Sequence, residues 1–449
     1  MAAFRLDGKP GWWPLNGSMK STLEETMLTR LKWQGIATSL LAAAAVAAFL
    51  KSTQAQTLSG QPITIGFGMA LTGPLAGFGK QALLGMKIWE EETNAKAGLL
   101  GRPVKLIYYD DQSNPSTVPG IYTKLLDVDK VDLVLSGYAT NMVAPAIPVI
   151  MQKGKTFISL FALDANAEFK YPKYFSVLPA GPRPKAAFTD GFFQIASAQN
   201  PKPTTVALAA EDAEFSRNAC DGARENSDRY GFKIIYDKSY PPNTTDYTPI
   251  VRALQMANAD LVIVCSYPLS SVGMVLAANE LNLKPKMFGG GMVGLQGIAV
   301  KSKLGPKLNG IINYETWVPS EKMMAPAAEF FKKYQARAAA EGADPLGYYL
   351  GGWGNAYISV LGDAVSGAKS TVDDKVADHL RNHEFKTIMG SWRYGSNGEW
   401  TKSGFLEVQY HDIKEGAGLE TWRGMSYQTV LTPAEHRTGN VIYPYEKAR

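Results

Sequence analysis

Short apolar runs alternate with longer segments of helical spacing along most of the chain. Pro62 to Met69 (PITIGFGM) alternates as a buried strand does, and Leu84, Ile88 and Trp89 recur at helical spacing within Ala82 to Glu92. A loop, ALTGPLAGFGKQ, lies between them. Lys105 to Tyr109 predicts a second strand ending in Asp110 and Asp111, after which Ser113, Asn114 and Pro115 read as a helix start. Asp132 to Leu135 is a third apolar run, followed by a small-residue turn at Ser136 and Gly137 and an Ala/Val/Ile segment that can wind as a helix. Thr156 to Ser159 is a further strand, and the prolines at 179, 182 and 184 mark a crossover. Beyond it the alternation resumes. Thr205 to Ala209, Leu261 to Val264 and Lys286 to Phe288 predict strands, the last leading into glycines 289–291. Ile311 to Trp317 reads as a crossover back, Tyr348 to Leu361 as an aromatic, glycine-rich helix, Trp392 to Trp400 as a turn and Phe405 to Tyr410 as a strand. Glu420 to Arg449 reads as an extended arm lying on the surface. Strand and helix in steady alternation predict an α/β fold with parallel sheets covered on both faces, whose ligands bind at the carboxyl ends of the strands.

The stretch Asp132 to Ile147 (DLVLSGYATNMVAPAI) is where such a strand delivers the chain to a helix start. The first turn of a helix leaves N–H groups without intrahelical partners, and the peptide dipoles add positive potential there. An anion can bind such a turn without lysine or arginine. Taken locally, Thr140 or Asn141 capping its own helix is the default reading. Other candidate chemistry falls away. With Gly79 and Lys80 in place, a phosphate loop needs Gly at Pro74 and Ser or Thr at Gln81. Adjacent carboxylates on an extended chain point to opposite faces, so Asp110 and Asp111 read as a strand-end turn rather than an acid/base couple. His379 and His383 stand at metal-sharing spacing but lack a third ligand, and read as a solvated helix end. Neither a nucleophile motif nor a dinucleotide fingerprint is visible, and no enzyme is expected.

At 449 residues the chain is long for a single core, and 45% hydrophobic with 19% charged residues is the balance of a folded protein. Ile36 to Leu50 is a 15-residue apolar run without charge, preceded by Arg30 and Lys32. It spans roughly 22 Å, short of the ~30 Å hydrocarbon core of a bilayer. This reads as a signal peptide cut near Ala55, with Thr53 and Ala55 as the small residues before the cut and an over-long segment ahead of Met19 or Met27. The mature chain is then expected in the periplasm. Residues 1–55 hold six Lys/Arg and three Asp/Glu, which leaves 40 against 38 in the remainder, too even for nucleic acid. Cys220 and Cys265 are the only cysteines; export permits a bridge, but their spacing says nothing of geometry, and two unpaired, buried thiols are expected.

The segment ITIGFGMALTGPLAGFGKQALLGMKIWEEETNAKAGLLGRPVKLIYYDDQSNP resembles the amino-terminal signature of the leucine/isoleucine/valine-binding proteins, periplasmic receptors of branched-chain amino acid ABC importers. The likeness extends over 62–412 and is carried by the LTGP loop, by Asn94, Ala95, Gly98, Gly101 and Val104, and by the YYDD strand end. It implies the type I periplasmic binding protein fold: two Rossmann-like lobes with parallel-sheet cores, joined by three crossovers. The amino-terminal lobe would take 62–180 and 315–402, the carboxyl-terminal lobe 181–314 and 403–419, with 420–449 as the arm. It further implies a monomer that closes on a small ligand by a hinge, delivers it to an inner-membrane permease, and needs no cofactor, metal or nucleic acid.

By the same resemblance, residues matching Thr140 and Asn141 hold a ligand carboxylate, together with a threonine and backbone groups in the segment matching Phe161, Ala162 and Leu163. An acid falling at or beside Gly291 would receive the ligand ammonium, and tyrosines matching Phe78, Phe215 and Tyr267 would line the pocket. This chain departs from that pattern: the threonine is Leu163, the acid is Gly291, and two of the three tyrosines are Phe78 and Phe215. A buried ammonium without acceptors costs several kcal/mol. An aromatic or other apolar carboxylate is therefore expected, its acid at Ser136, Tyr138, Thr140 and Asn141 and its body against the phenylalanines. Leucine, isoleucine or valine is the alternative ligand, and a cytoplasmic ligand-sensing regulator of the same fold the alternative role. The cleft disulfide of some relatives is absent, with Gln112 and Ala139 near the matching positions.

Overall fold

A computed structural model describes residues 58–449, and the signal-peptide expectation lies outside them. Two large sheets, of five and seven strands, form the cores of two lobes. β1 (Ile63–Met69), β2 (Val104–Asp110), β3 (Leu133–Tyr138), β4 (Phe157–Leu160) and β5 (Tyr174–Ser176) form one wholly parallel sheet in the order β2-β1-β3-β4-β5. The chain then leaves this lobe through 177–183. β6 (Thr205–Glu211), β7 (Lys233–Tyr240), β8 (Leu261–Ser266), β9 (Met287–Met292) and β10 (Ile312–Glu315) build the parallel part of a second sheet. After β10 the chain returns to the first lobe, where the hairpin of β11 (Glu384–Thr387) and β12 (Gly390–Arg393) lies, and crosses a third time into β13 (Leu406–Tyr410). β13 and β14 (Gln428–Thr432) add antiparallel to β10, completing the order β14-β13-β10-β9-β8-β6-β7.

Several sequence expectations are corrected here. Ile311 to Trp317 is not wholly a crossover: Ile312–Glu315 is β10, paired on both sides, and the return begins at Thr316. Gly289–Gly291 lie within β9 rather than after it, because the sheet packs too closely there for a side chain; a Cβ on Gly289 would stand 1.6 Å from the Ile312 carbonyl oxygen. The tail is not merely a surface arm, since β14 closes the second sheet and Trp422 and Tyr445 are each 2% exposed. Five residues of weak alternation in a polar tail carry little signal until a partner strand is present. The first helix begins at Ala76, six residues before the apolar periodicity does, and its Gly79 is required by the approach of the Ala70 carbonyl.

Cys220 and Cys265 form a disulfide, correcting the expectation of two free thiols. Cys220 lies on the helix Glu214–Tyr230, which packs against β8, and Cys265 lies on that strand, so a separation of 45 residues becomes a Cα–Cα distance of 6.1 Å. Asp110 and Asp111 are a strand-end turn. Asp110 Oδ1 accepts from the N–H groups of Leu71, Thr72 and Gln112, and Asp111 Oδ1 accepts from Ser113 N–H. His379 and His383 stack ring on ring at the end of the helix Asp373–Asn382. Among the described residues no helix is long and apolar enough to cross a membrane.

Asp111 is 1% exposed and its Oδ2 has no hydrogen-bond partner, so burial first, and the neighbouring Asp110 charge after it, push its carboxyl up to about 6. Folding thus favours the neutral form. That contribution is complete below the unfolded value of about 3.9 and is lost as the pH rises through about 6. Asp111→Asn, which keeps the Ser113 bond, should match the parent in urea unfolding near pH 3.5 and exceed it by about 1–3 kcal/mol near pH 7.5; equal stabilities at both pH values would refute this. Cys220→Ala/Cys265→Ala should lose about 2–4 kcal/mol in the same assay, and a thiol assay on the unfolded parent should find no free cysteine until reductant is added.

Candidate functional site

The carboxyl ends of strands from both sheets converge on one cavity. From the first lobe come Tyr138, Ala139 and Thr140 at the end of β3, Phe161 and Leu163 after β4, and Tyr349 from the turn before the helix Gly351–Ala368. From the second come Phe188, Phe215, Tyr267, Val293 and Tyr314, with Leu178 contributed by the first crossover. The free space among these residues is about 20 Å³, room for about one water molecule. Rings fill the rest. Phe188 packs against Tyr314 at 4.4 Å and Phe215 at 5.3 Å, and Phe161 packs against Tyr349 at 5.5 Å.

No lining residue carries a charge. Polar chemistry comes from hydroxyls: Tyr349 lies 3.2 Å from Tyr138 and 3.4 Å from Tyr314, oxygen to oxygen. Burial holds all three phenols well above the ordinary tyrosine value, so they stay protonated and remain donors. Tyr267 is likewise pushed up by burial. Its hydroxyl donates to Asn141 Oδ1 at 3.1 Å, and the Phe215 N–H reaches the same oxygen at 3.4 Å. Asn141 belongs to the first lobe and both donors to the second. Asn218 Nδ2 donates to the Leu163 carbonyl at 2.8 Å, and Asp344 accepts from Ile298 N–H at 2.9 Å; both bonds also cross between the lobes. The lobes are closed.

Six of the residues singled out from the sequence line the cavity: Tyr138, Thr140, Phe161, Leu163, Phe215 and Tyr267. Thr140 Oγ1 accepts from Leu163 N–H at 2.9 Å, which occupies one backbone donor of that segment. Five others stand apart from the cavity wall. Ser136 is internal to the sheet: its hydroxyl donates to the Gly137 carbonyl and accepts from Leu160 N–H. Phe78 stands one ring behind, edge-on to Tyr138 and Tyr349. Ala162 is fully buried, and Asn141 lines a neighbouring open cleft of about 450 Å³ with Glu211 and Arg217. Gly291 is walled off by Phe188, whose ring lies 2.9 Å from where a Cβ would be. Sequence reasoning missed Phe188, Leu178, Val293, Tyr314 and Tyr349. Their distance along the chain hides them, although Tyr314 at the end of an apolar run and Tyr349 ahead of a glycine-rich helix carried a usable signal.

Known proteins share this architecture. Leu/Ile/Val-binding protein homolog 2 of Brucella abortus is 22% identical over 356 residues, 79% of this chain and 92% of that one. The branched-chain amino acid transporter substrate binding protein LivJ from Streptococcus pneumoniae, solved in complex with isoleucine, superposes with a TM-score of 0.66 at 17% identity, covering 83% of this chain and all of that one. A solute binding protein of an ABC transporter from R. palustris, solved in complex with benzoate, gives 0.67 at 14% identity, over 82% and 95%. At such identities the superpositions establish the fold. The sequence profile described as periplasmic binding protein matches residues 62–405, most of the chain, and by that match the chain belongs to the periplasmic binding protein family.

Proposed function

We propose that the solute this periplasmic binding protein presents to its ABC importer is an apolar, aromatic carboxylate of the benzoate kind. The observation that carries the reading is the uncharged, ring-lined cavity between the two sheets. An α-amino acid brings an ammonium that would be desolvated with no carboxylate to meet it, at a cost of several kcal/mol. An aromatic acid brings one charge, and its ring suits walls that offer edge and offset contacts. Its oxygens can be received by neutral donors: the Tyr138, Tyr314 and Tyr349 hydroxyls, and the N–H group of Thr140, which donates to no protein acceptor among the described residues. Solved relatives bound to isoleucine and to benzoate share this fold, so the lining and not the architecture must choose between them.

A ring needs more room than the closed cavity holds, so admission requires the lobes to part and the Asn141 and Asn218 bonds to break. Closure around the ligand then re-forms them with the wall rings displaced to make room, and only contacts made by both lobes at once shift the balance between open and closed. The mature chain, cut near Ala55, would act as a periplasmic monomer and hand its ligand to an inner-membrane permease.

Titration calorimetry of the mature protein should show micromolar binding of 4-hydroxybenzoate and none of leucine; the reverse pattern would overturn the reading. Tyr267→Phe removes one donor to Asn141 without emptying its place in the wall, and should weaken 4-hydroxybenzoate about 3- to 10-fold, in line with one lost hydrogen bond. An unchanged affinity would show that the bridge plays no part in closure.

A further inference from the structure

The crossovers have a second face. Leu178 lines the cleft cavity while its neighbour Pro179 lines another one, as alternate residues of an extended segment must. That second cavity, of about 280 Å³, touches all three connections through Pro179, Thr316 and Gly404. Its walls include Trp317, Trp353 and Trp400 together with Met323 and Met389. Trp353 is 1% exposed, and its Nε1 has no acceptor among the described residues, whereas Trp400 Nε1 donates to the Ser176 carbonyl. Two side chains capable of positive charge stand at the margin, Lys322 and His436. Burial and then the nearby Lys322 charge lower the His436 imidazole from its ordinary value, with Glu435 opposing, so the ring is neutral near neutral pH and an anion bound beside it would favour its protonation. No carboxylate lines the cavity. Lys322 belongs to the first lobe, on the short helix Glu321–Met324, and His436 to the tail that follows β14 of the second.

We infer that this hinge cavity is a second small-molecule site, taking a flat aromatic anion whose ring lies among the tryptophans and whose charge meets Lys322 and His436, and that its occupant favours the closed lobes. The walls are apolar and aromatic, the margin is cationic, and one buried indole N–H is left to donate, which is the complement of such a ligand. Bias toward closure follows from position. Rotation about the crossovers that parts the lobes on the cleft side moves them together on the opposite side, which displaces His436 against Lys322 and Met389. An occupant touching both lobes therefore binds the closed form better, and by linkage it tightens whatever the cleft holds by the same factor. A packed route joins the two sites: Phe161, in the cleft wall, lies 5.4 Å from Trp353, and Trp353 lies 6.0 Å from Trp400, centroid to centroid. The coupling rests on the reading that the cleft binds a ligand; the hinge site itself does not.

The chain has four histidines, so proton NMR of their rings resolves His436 directly. With 2-naphthalenesulfonate as the probe, the His436 resonance should move and its pKa should rise, and Lys322→Met should weaken that response at least about 10-fold while leaving 4-hydroxybenzoate binding alone. Saturating probe should tighten 4-hydroxybenzoate about 5- to 10-fold, within the usual range of coupling between sites, and the Lys322→Met variant should lose the effect. A His436 signal that stays still at millimolar probe overturns the hinge site. A moving signal with unchanged or weakened 4-hydroxybenzoate binding overturns the coupling. If 4-hydroxybenzoate does not bind even without the probe, the cleft reading fails by itself; His436 still decides the site, and a smaller radius of gyration on adding probe, or its absence, decides the bias toward closure.

Discussion

The oxygen of one amide, Asn141 Oδ1, receives a hydroxyl and a main-chain N–H from the opposite lobe, and so bridges the two lobes of the closed form. Neutral hydrogen bonds are individually modest, about 0.5–1.5 kcal/mol net. A handful of them, with the Asn218 and Asp344 contacts, can hold two lobes together without making the closed state irreversible. A receptor that must release its cargo needs a balance of this kind. A fully buried ion pair in the same place would change the problem, because every closure would have to desolvate two charges, at a cost that can exceed their attraction.

The cavity behind the bridge follows one rule: its polar side chains are neutral and bond to neighbouring groups. Three tyrosine hydroxyls share a corner, and Thr140 accepts from Leu163. The protein keeps its buried charges elsewhere, as in the Lys301–Glu315 pair, 2.6 Å apart and joined by the Tyr410 hydroxyl, deep in the second lobe. Phe188 is the decisive side chain of the wall. It stands where a side chain at position 291 would have to be, so the glycine there is what admits the phenylalanine from a distant helix.

Close backbone packing positions these rings. The helices Ala76–Ala95 and Gly351–Ala368 approach so nearly that a Cβ on Gly85 would lie 2.1 Å from the Gly351 carbonyl oxygen and one on Gly354 would lie 2.4 Å from that of Ala82. The contact fixes the turn carrying Tyr349, which reaches the cavity with Phe78 packed behind it. Glycines that look like flexibility along the chain are here the reason a site is rigid.

Strand and helix alternation, the apolar run near the amino terminus and the family resemblance are local properties, repeated within windows of ten to fifty residues, and they could be read without coordinates. So could the departures at Leu163 and Gly291 from the pattern the chain resembles, since they need only the identity of single residues. The turn expected at Ser136 and Gly137 could not, because both residues continue β3. Tertiary structure decided the rest: that Cys220 faces Cys265, that a weak run at 428–432 is a strand, that Ser136 looks into its own sheet, and that Phe188, Tyr314 and Tyr349 meet between the lobes. Each of these depends on which distant segments pack together, and packing is set by the summed fit of many side chains, a quantity that no single stretch of sequence contains.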